Sequence, residues 1–327
     1  MKQRLCNYRE QNRLRIIGFF FMILFFYRYS SAYCQLNNDK GLIKIKDTST
    51  TGSPGFCGWP ALKSQRFGTY TDSSEFSVIR LANSSEIFPD SALYFRCRKV
   101  AQEIMNGMIY LPEGEFWQGC KMEDDIECDH RAFAEKPIHK VAINSFFMAG
   151  TEVTQRQWRA VMGYNPSKNA GCDDCPVERV SWNEVQGFLG ILNYATGIFF
   201  ALPTESEWEY AAKITDSSSV WKKGDTAALK EMGWFYQNSG GKTHTVATKM
   251  PGNMEIYDLH GNVREWCADL YAGYPRKNKK SLPMEAGLRS VRGGGWYDEF
   301  RKCRSSFRFY QNSDEKSEFV GFRLVLH

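Results

Sequence analysis

Short stretches of alternating apolar and polar residues fill the C-terminal two thirds of the chain and predict small strands joined by turns. Met108–Leu111 and Gly114–Gly119 form two predicted strands around a turn, and Val141–Met148 forms a third. After Ile214 regular periodicity fades into short aromatic strands, Gly-Asn turns and loops. A few helices set among many short strands and long loops indicate an α+β fold with low regular content.

Three segments begin with the same helix-start pattern, a hydroxyl residue followed three positions later by Glu or Gln. Each side chain of such a pair bonds a backbone N–H in the first helical turn, so the pattern predicts three helices. The three pairs are Thr154 with Gln157, Ser181 with Glu184, and Thr204 with Glu207. The apolar faces predicted for the second and third helices contain Val185, Phe188, Leu189 and Leu192, and Trp208, Ala211 and Ala212.

The N-terminus has the order of a secretory signal peptide. A basic segment precedes an apolar run, Ile16 to Tyr27, which is short for a membrane-spanning helix, and small residues follow. We therefore predict a signal peptide over residues 1–34, with an uncleaved anchor as the alternative. Lipidation at Cys34 is disfavoured because Tyr33 is bulky where a lipidation signal has Gly or Ala.

Charge and cysteine content change once this segment is removed. Residues 1–34 hold six of the 42 Lys and Arg and one of the 37 Asp and Glu, which leaves 36 of each sign. A neutral mature chain gives no argument for binding nucleic acid. Eight cysteines remain, an even number in an exported chain, and disulfides are expected.

Residues 35–106 are predicted to be a linker and a small N-terminal extension. The first part is polar, and the apolar runs Phe76–Leu81 and Ala92–Phe95 favour a few strands. This piece is either a truncated β-rich module, with Cys57 and Cys97 as a disulfide, or an irregular extension. The main domain is then 107–327.

Two cysteine-containing stretches carry weaker signals. Cys172-Asp-Asp-Cys175 lies in a Gly/Asn/Asp loop without a second ligand pair, which favours a loop-closing disulfide over a zinc or redox site. The acidic residues between Cys120 and Cys128 are typical of a solvated hairpin tip.

Seven motifs occur in order between residues 107 and 327. They are Thr151-Glu-Val-Thr154, Asn165-Pro-Ser167, Pro176-Val-Glu-Arg-Val-Ser-Trp182, Leu202-Pro-Thr-Glu-Ser-Glu-Trp-Glu-Tyr-Ala211, Tyr257-Asp-Leu-His-Gly-Asn-Val-Arg-Glu-Trp266, Arg292-Gly-Gly-Gly-Trp296 and Gly321-Phe-Arg-Leu-Val325. Together they resemble the formylglycine-generating enzyme (sulfatase-modifying factor) family. The resemblance implies a variant of the C-type-lectin-like fold. Family enzymes oxidise a cysteine of a sulfatase, in a Cys-x-Pro-x-Arg context, to formylglycine with oxygen and Cu(I).

The resemblance also places the family's catalytic positions, and two of the three are changed. The catalytic serine falls at Gly295, the first cysteine at Asp298 and the second at Cys303. Cu(I) prefers paired thiolates, and a carboxylate is a hard ligand, so Cu(I) binding is not expected. Asp298 and Cys303 form a degenerate catalytic site, and Cys303 is predicted to pair with Cys267 in a disulfide.

The same resemblance implies a calcium-binding loop, whose ligand positions are better kept than the catalytic positions. The family's Asn-x-x-Gly-Asn-x-x-Glu loop corresponds to the stretch from Asp258 to Glu265. Asp258 and Glu265 would supply carboxylates, and Gly261 and Val263 carbonyl oxygens, which are ligands that suit Ca²⁺. The alternative is a turn in which Glu265 only caps the backbone.

The sequence therefore predicts an exported, non-catalytic structural or binding module of the cell envelope. It would be periplasmic, outer-membrane-associated or extracellular, with an envelope protein or a glycan as its partner. The alternative is an oxidase acting on a sulfatase polypeptide. Aromatic residues that could contribute to a binding surface are Trp117, Trp234, Tyr236, Trp296 and Tyr297.

Overall fold

The structure, a computed structural model, describes residues 36–37, 42–43, 91–120, 133–215, 226–275 and 287–327. The predicted signal peptide and most of the predicted linker lie outside these ranges. Two compact units are present, Met1–Ser91 and Ala92–His327. In the first, Leu36–Asn37 (β1) pairs antiparallel with Leu42–Ile43 (β2). No helix in the described ranges is long and apolar enough to span a membrane.

A helix, Ser91–Asn106 (α1), opens the second unit, so the strand predicted over Ala92–Phe95 is wrong. Its buried residues recur at helical spacing: Cys97, Val100, Ala101 and Ile104. The domain boundary expected near residue 107 therefore lies inside the second compact unit.

The strands Met108–Leu111 (β3) and Gly114–Gln118 (β4) form as predicted. The predicted strand Val141–Met148 is instead divided into His139–Ile143 (β5) and Phe146–Ala149 (β6). The two halves join different sheets, because β5 pairs with β4 whereas β6 pairs with β3. The polar residues between them turn the chain from one sheet to the other.

Two further sheets are built from segments that are distant in sequence. Val325–Leu326 (β11) completes a three-stranded antiparallel sheet in the order β11-β6-β3, which joins both ends of the domain. The strands of the four-stranded sheet are Arg264–Leu270 (β7), Leu288–Arg292 (β8), Phe309–Asn312 (β9) and Val320–Gly321 (β10). Their order is β10-β7-β8-β9, with β10 parallel to β7.

The three predicted helices are Gln155–Met162 (α2), Trp182–Thr196 (α3) and Glu205–Thr215 (α4). All three capping boxes form with both hydrogen bonds, and the predicted apolar faces of α3 and α4 are buried. A shorter helix, Thr226–Met232 (α5), follows. Together with the small sheets, these helices confirm the α+β prediction.

The core lies where α4 packs across the sheets. Beside it, α4 contributes two buried carboxylates to a network with two buried arginines. Arg308 binds Glu205 through two bonds of 2.6 and 2.8 Å, and Arg292 binds Glu209 at 2.5 Å and Glu205 at 3.3 Å. Main-core residues include Leu111, Phe146, Met148, Trp208, Ala211, Cys267 and Val325.

Candidate functional site

The turn between β8 and residue 298 needs glycine at two consecutive positions. Gly293 and Gly294 have φ of 96° and 72°, in the left-handed region that side chains disfavour. A Cβ on Gly294 would lie 2.6 Å from Cys303 Sγ, and one on Gly293 would lie 3.0 Å from the Trp208 ring. The glycines therefore allow this turn to press against the core.

Asp298, the residue at the first catalytic-cysteine position, is buried and fully engaged. Arg264 on β7 donates Nε to Oδ2 at 2.7 Å and Nη2 to Oδ1 at 2.6 Å. The backbone N–H of Gly295 also donates to Oδ2 at 3.0 Å. The Arg264 guanidinium lies 4.0 Å from the centroid of the Phe309 ring. A two-point ion pair of this kind holds the turn to the four-stranded sheet.

Cys303 and Cys267 are both free thiols, so the predicted disulfide between them is wrong. They lie in separate apolar clusters. Cys267, on β7, packs in the main core, whereas Cys303 packs with Leu229 and Phe235. Complete burial raises the pKa of both thiols well above its ordinary value. Each therefore has little thiolate character, the form that attacks electrophiles and binds metals.

Other cysteines differ in state. Cys172 and Cys175 form the predicted loop-closing disulfide, with an S–S distance of 2.07 Å. Cys120 is disulfide-bonded. Cys97 is a buried free thiol, so the Cys57–Cys97 disulfide is also wrong, and Cys57 itself lies outside the described residues. The predicted acidic hairpin tip likewise lies outside them.

Two tyrosines beside the Asp298 turn, Tyr236 and Tyr297, form an exposed pair that we call the tyrosine face. They are 60% and 58% exposed, and their rings meet edge to face at 5.9 Å. Tyr297 also stacks on Phe319 at 5.3 Å. The backbone N–H of Tyr236 donates to the Asp298 carbonyl at 2.8 Å, so the tyrosine face is tied to the turn.

The remaining candidate surface aromatics are placed differently. Trp117 is 59% exposed, on strand β4. Trp296 is buried and donates its indole N–H to the Glu318 carbonyl, so it supports the turn from within. Trp234 stacks on His244 at 3.7 Å, with the Lys249 ammonium 3.9 Å from its centroid.

The residues of the implied calcium loop come together, but not all of their carboxylate oxygens are free to bind a metal ion. Both Glu265 oxygens accept from Arg323 at 2.7 Å, and Oε2 also accepts the Trp208 indole N–H at 2.7 Å. Asp258 is different: its Oδ2 accepts from the Ala247 N–H, whereas the buried Oδ1 has no hydrogen-bond partner. Both oxygens of Glu265 are thus occupied by Arg323, whereas Asp258 Oδ1 is unpaired and could bind a cation.

Glu152 is a buried carboxyl next to Asp258 that the sequence reasoning did not identify. Neither of its carboxylate oxygens has a hydrogen-bond partner, and its charge interacts with that of Asp258. Burial raises the pKa of Glu152 well above its ordinary range, and the nearby Asp258 carboxylate raises it further. Burial also raises the pKa of Asp258 to about 6, and the charge of Glu265 adds to that rise. Glu152, Asp258 and Glu265 face one Arg323, so the fully ionised group would carry an excess of negative charge.

These orphaned oxygens fit a divalent cation better at Asp258 and Glu152 than at Glu265. Gly261 and Val263 are buried in the same loop. Within the described residues, no group of three or more His, Cys, Asp or Glu side chains is arranged to hold a metal. A calcium ion here would need backbone carbonyls beside the two carboxyls, as hard-cation sites often do. The motif Thr151-Glu-Val-Thr154 contains Glu152, but only the fold brings it to Asp258.

Comparison with known proteins decides the family. The family description "Sulfatase-modifying factor enzyme 1-like domain" matches residues 96–327. That match covers well over half of the chain. The chain belongs to this family.

Three family relatives set the context. "Chaperone protein LppX" of Paenibacillus barcinonensis is 26% identical, over 57% of this chain and 81% of its own length. "Serine/threonine-protein kinase pkn1" of Chlamydia pneumoniae is 27% identical, over 68% of this chain and only 38% of its own length. The solved structure "Treponema denticola variable protein 1" is 27% identical, covers 67% of this chain and 94% of its own, and has a TM-score of 0.58. These likenesses confirm the C-type-lectin-like fold of the formylglycine-generating enzyme type.

Replacing Asp298 tests the ion pair that occupies the degenerate catalytic position. We expect Asp298→Ala to lower the free energy of unfolding by about 3 kcal/mol, because it leaves a largely buried arginine without its partner. Lys302→Ala is the matched control, since its exposed ammonium lies 3.7 Å from the same carboxylate and should contribute under about 1 kcal/mol. Chemical denaturation measures both, and equal losses would contradict the assignment.

Thiol accessibility tests the cysteine states of this family member. Under native conditions, we expect Cys97, Cys267 and Cys303 to resist alkylation, and all three should react after denaturation without reductant. The reason is burial, which raises the pKa of all three thiols and keeps the reagent out. Peptide mass spectrometry measures the labelling. A Cys303 that is modified rapidly in the folded protein, or blocked in the denatured one, would contradict this account.

Proposed function

We propose that this protein is an exported, non-catalytic binding module of the cell envelope, built on the sulfatase-modifying factor scaffold. The observation that carries the proposal is the state of the degenerate site. The first catalytic-cysteine position holds Asp298, whose two oxygens are bound to Arg264 at 2.7 and 2.6 Å. A charged pair here stabilises the turn and leaves no thiol at that position.

The chemistry of the neighbouring groups supports a non-catalytic role. Cu(I) is held well by a pair of thiolates, and a carboxylate already paired with arginine is a poor substitute. Cys303 offers one thiol, which is buried against Leu229 and Phe235. Gly295 has no hydroxyl where the family serine would stand.

The tyrosine face is the surface that we assign to the partner. Two exposed rings present apolar faces and hydroxyl groups together, a combination that suits a sugar ring with its C–H face and hydroxyls. Two rings cover much less area than the ~800 Å² that a stable protein partner buries on each side. We therefore favour a glycan over an envelope protein. A relative with the name of a chaperone is in keeping with a binding role.

The alternative function is a formylglycine-generating oxidase that acts on a sulfatase polypeptide. The observation in its favour is that Cys303 is a free thiol, because a disulfide would have removed it from any chemistry. Under this alternative, Cys303 would have to work without a second cysteine at residue 298.

An activity assay separates the two functions. We expect no aldehyde when the purified protein is incubated with Cu(I), oxygen and a Cys-x-Pro-x-Arg peptide, because one buried thiol replaces the family's pair. Mass spectrometry of the peptide cysteine is the readout, with an active formylglycine-generating enzyme as the positive control. Conversion that disappears in Cys303→Ser would establish the oxidase and overturn the non-catalytic proposal.

A glycan array with the wild type and with Tyr236→Ala/Tyr297→Ala then tests the tyrosine face.

We further propose that calcium binds at Asp258 and Glu152, in place of the family-type set that includes Glu265. We expect 1 mM Ca²⁺ to raise the melting temperature by several degrees relative to EDTA, because binding to the folded state alone stabilises it. Asp258→Asn and Glu152→Gln should each abolish the rise, whereas the exposed Asp314→Asn should keep it.

With the pKa of Asp258 raised to about 6, protons compete with calcium below that pH. The effect should therefore be larger at pH 8 than at pH 5.5, and the same melting temperature with calcium and EDTA would refute the site.

A further inference from the structure

A cavity of about 370 Å³ lies between the disulfide loop and the segment 242–245. Its walls are residues 169–172, Cys175 and residues 242–245. This volume is in the range of sites for small organic molecules. The cavity shares no residue with the degenerate catalytic turn, the tyrosine face or the proposed calcium centre.

One wall is held by the disulfide and by the start of α2. The Cys172–Cys175 disulfide closes a turn whose Cys175 N–H also bonds the Cys172 carbonyl at 3.2 Å. The Gln155 N–H donates to the Cys175 carbonyl at 2.9 Å, and the Val246 N–H donates to the Asp174 carbonyl at 3.0 Å. This second bond joins the two walls, so the cavity is fixed before any ligand arrives.

The opposite wall is fixed by His244 and Asn262. The His244 N–H donates to Asn262 Oδ1 at 3.0 Å, and Asn262 Nδ2 donates to the His244 carbonyl at 3.2 Å. The imidazole stacks on Trp234, and its Nε2 lies 2.6 Å from the Ser239 carbonyl. Partial burial lowers the pKa of His244, which favours the neutral ring.

Two residues that line the cavity each have a buried polar atom without a hydrogen-bond partner. The two atoms are Thr243 Oγ1, in a residue that is 3% exposed, and Asn169 Nδ2. A buried polar group left unpaired destabilises the folded protein, so a ligand that accepts hydrogen bonds from both would recover stability. Both groups can donate, and a ligand with acceptor oxygens is the chemical match.

The charges around the cavity favour a single negative charge on that ligand. Lys242 is exposed and forms no ion pair within the described parts of the chain. The two acidic residues of the disulfide loop are already paired: Asp173 with Arg159 at 2.8 Å and Asp174 with Arg156 at 3.4 Å. One free ammonium beside a neutral imidazole suits a monoanion better than a dianion.

We propose that this cavity binds a small molecule through one carboxylate, which pairs with Lys242 and accepts hydrogen bonds from Asn169 Nδ2 and Thr243 Oγ1. Glu178 lies behind Asn169, whose backbone N–H donates to its Oε1 at 2.7 Å. Burial raises the pKa of Glu178, which reduces its repulsion of an incoming anion. This site is independent of the proposed partner of the tyrosine face.

The probes are two acids, N-acetylglycine and D-glucuronate, with N-acetylglycinamide and D-glucose as their neutral counterparts. Titrations of the isotope-labelled protein are followed by NMR at the backbone amides of Gly171, Thr243 and Thr245. We expect saturable shifts with at least one acid, and shifts at least tenfold weaker with its neutral counterpart. No saturation with either acid up to 50 mM, or equal binding of acid and neutral counterpart, would overturn the proposal.

Three variants assign the contacts. Lys242→Ala should weaken acid binding at least tenfold, and Lys249→Ala, which removes an equal charge on the far side of Trp234, should leave it within twofold. Thr243→Val should weaken binding at least threefold while its melting temperature stays level or rises, because it removes an unpaired buried hydroxyl. Unchanged binding in Lys242→Ala, or an equal loss in Lys249→Ala, would mean that the cavity does not recognise the carboxylate.

Discussion

Buried pairing of arginine with glutamate is the interaction on which the domain depends. Helix α4 supplies Glu205 and Glu209, and the strands and loops of the four-stranded sheet supply Arg292 and Arg308. A fully buried charge is tolerated only when it is paired and hydrogen-bonded, so removal of either partner would leave an uncompensated charge in the core. These pairs therefore tie α4 to the four-stranded sheet in a domain with little regular structure.

Arginine–carboxylate pairs also occupy two positions to which the family resemblance assigns another role. Arg264 holds Asp298 where a catalytic cysteine would stand, and Arg323 holds Glu265 in the implied calcium loop. In both, a guanidinium occupies two carboxylate oxygens at hydrogen-bond distance. At each position, the oxygens that could have bound a metal ion are engaged inside the protein.

Local signals in the sequence predicted the local structure well. Capping boxes such as Ser181 with Glu184 depend on residues three apart, and all three formed. Helix α1 was missed because β-prone residues near Leu93 outweighed the helical spacing of Cys97, Val100, Ala101 and Ile104. Its burial depends on a partner surface that no local pattern reveals.

Long-range pairings were the part that the sequence could not provide. The sequence predicts a disulfide between Cys267 and Cys303, yet the two residues pack in different apolar clusters. Glu152 and Asp258 are separated by over a hundred residues, and only the fold makes them neighbours.

The cavity and the tyrosine face both lie beside one irregular segment of backbone. Residues 234–265 run past both the turn and the cavity, and this segment holds four non-glycine residues at positive φ, namely Ala247, Glu255, Asp258 and Asn262. Such conformations persist only where surrounding contacts enforce them, and here the enforcing bonds include Ala247 to Asp258 and His244 to Asn262. Buried polar contacts thus fix the backbone of this segment. They also set the positions of Tyr236 beside the Asp298 turn and of residues 242–245 on the cavity wall.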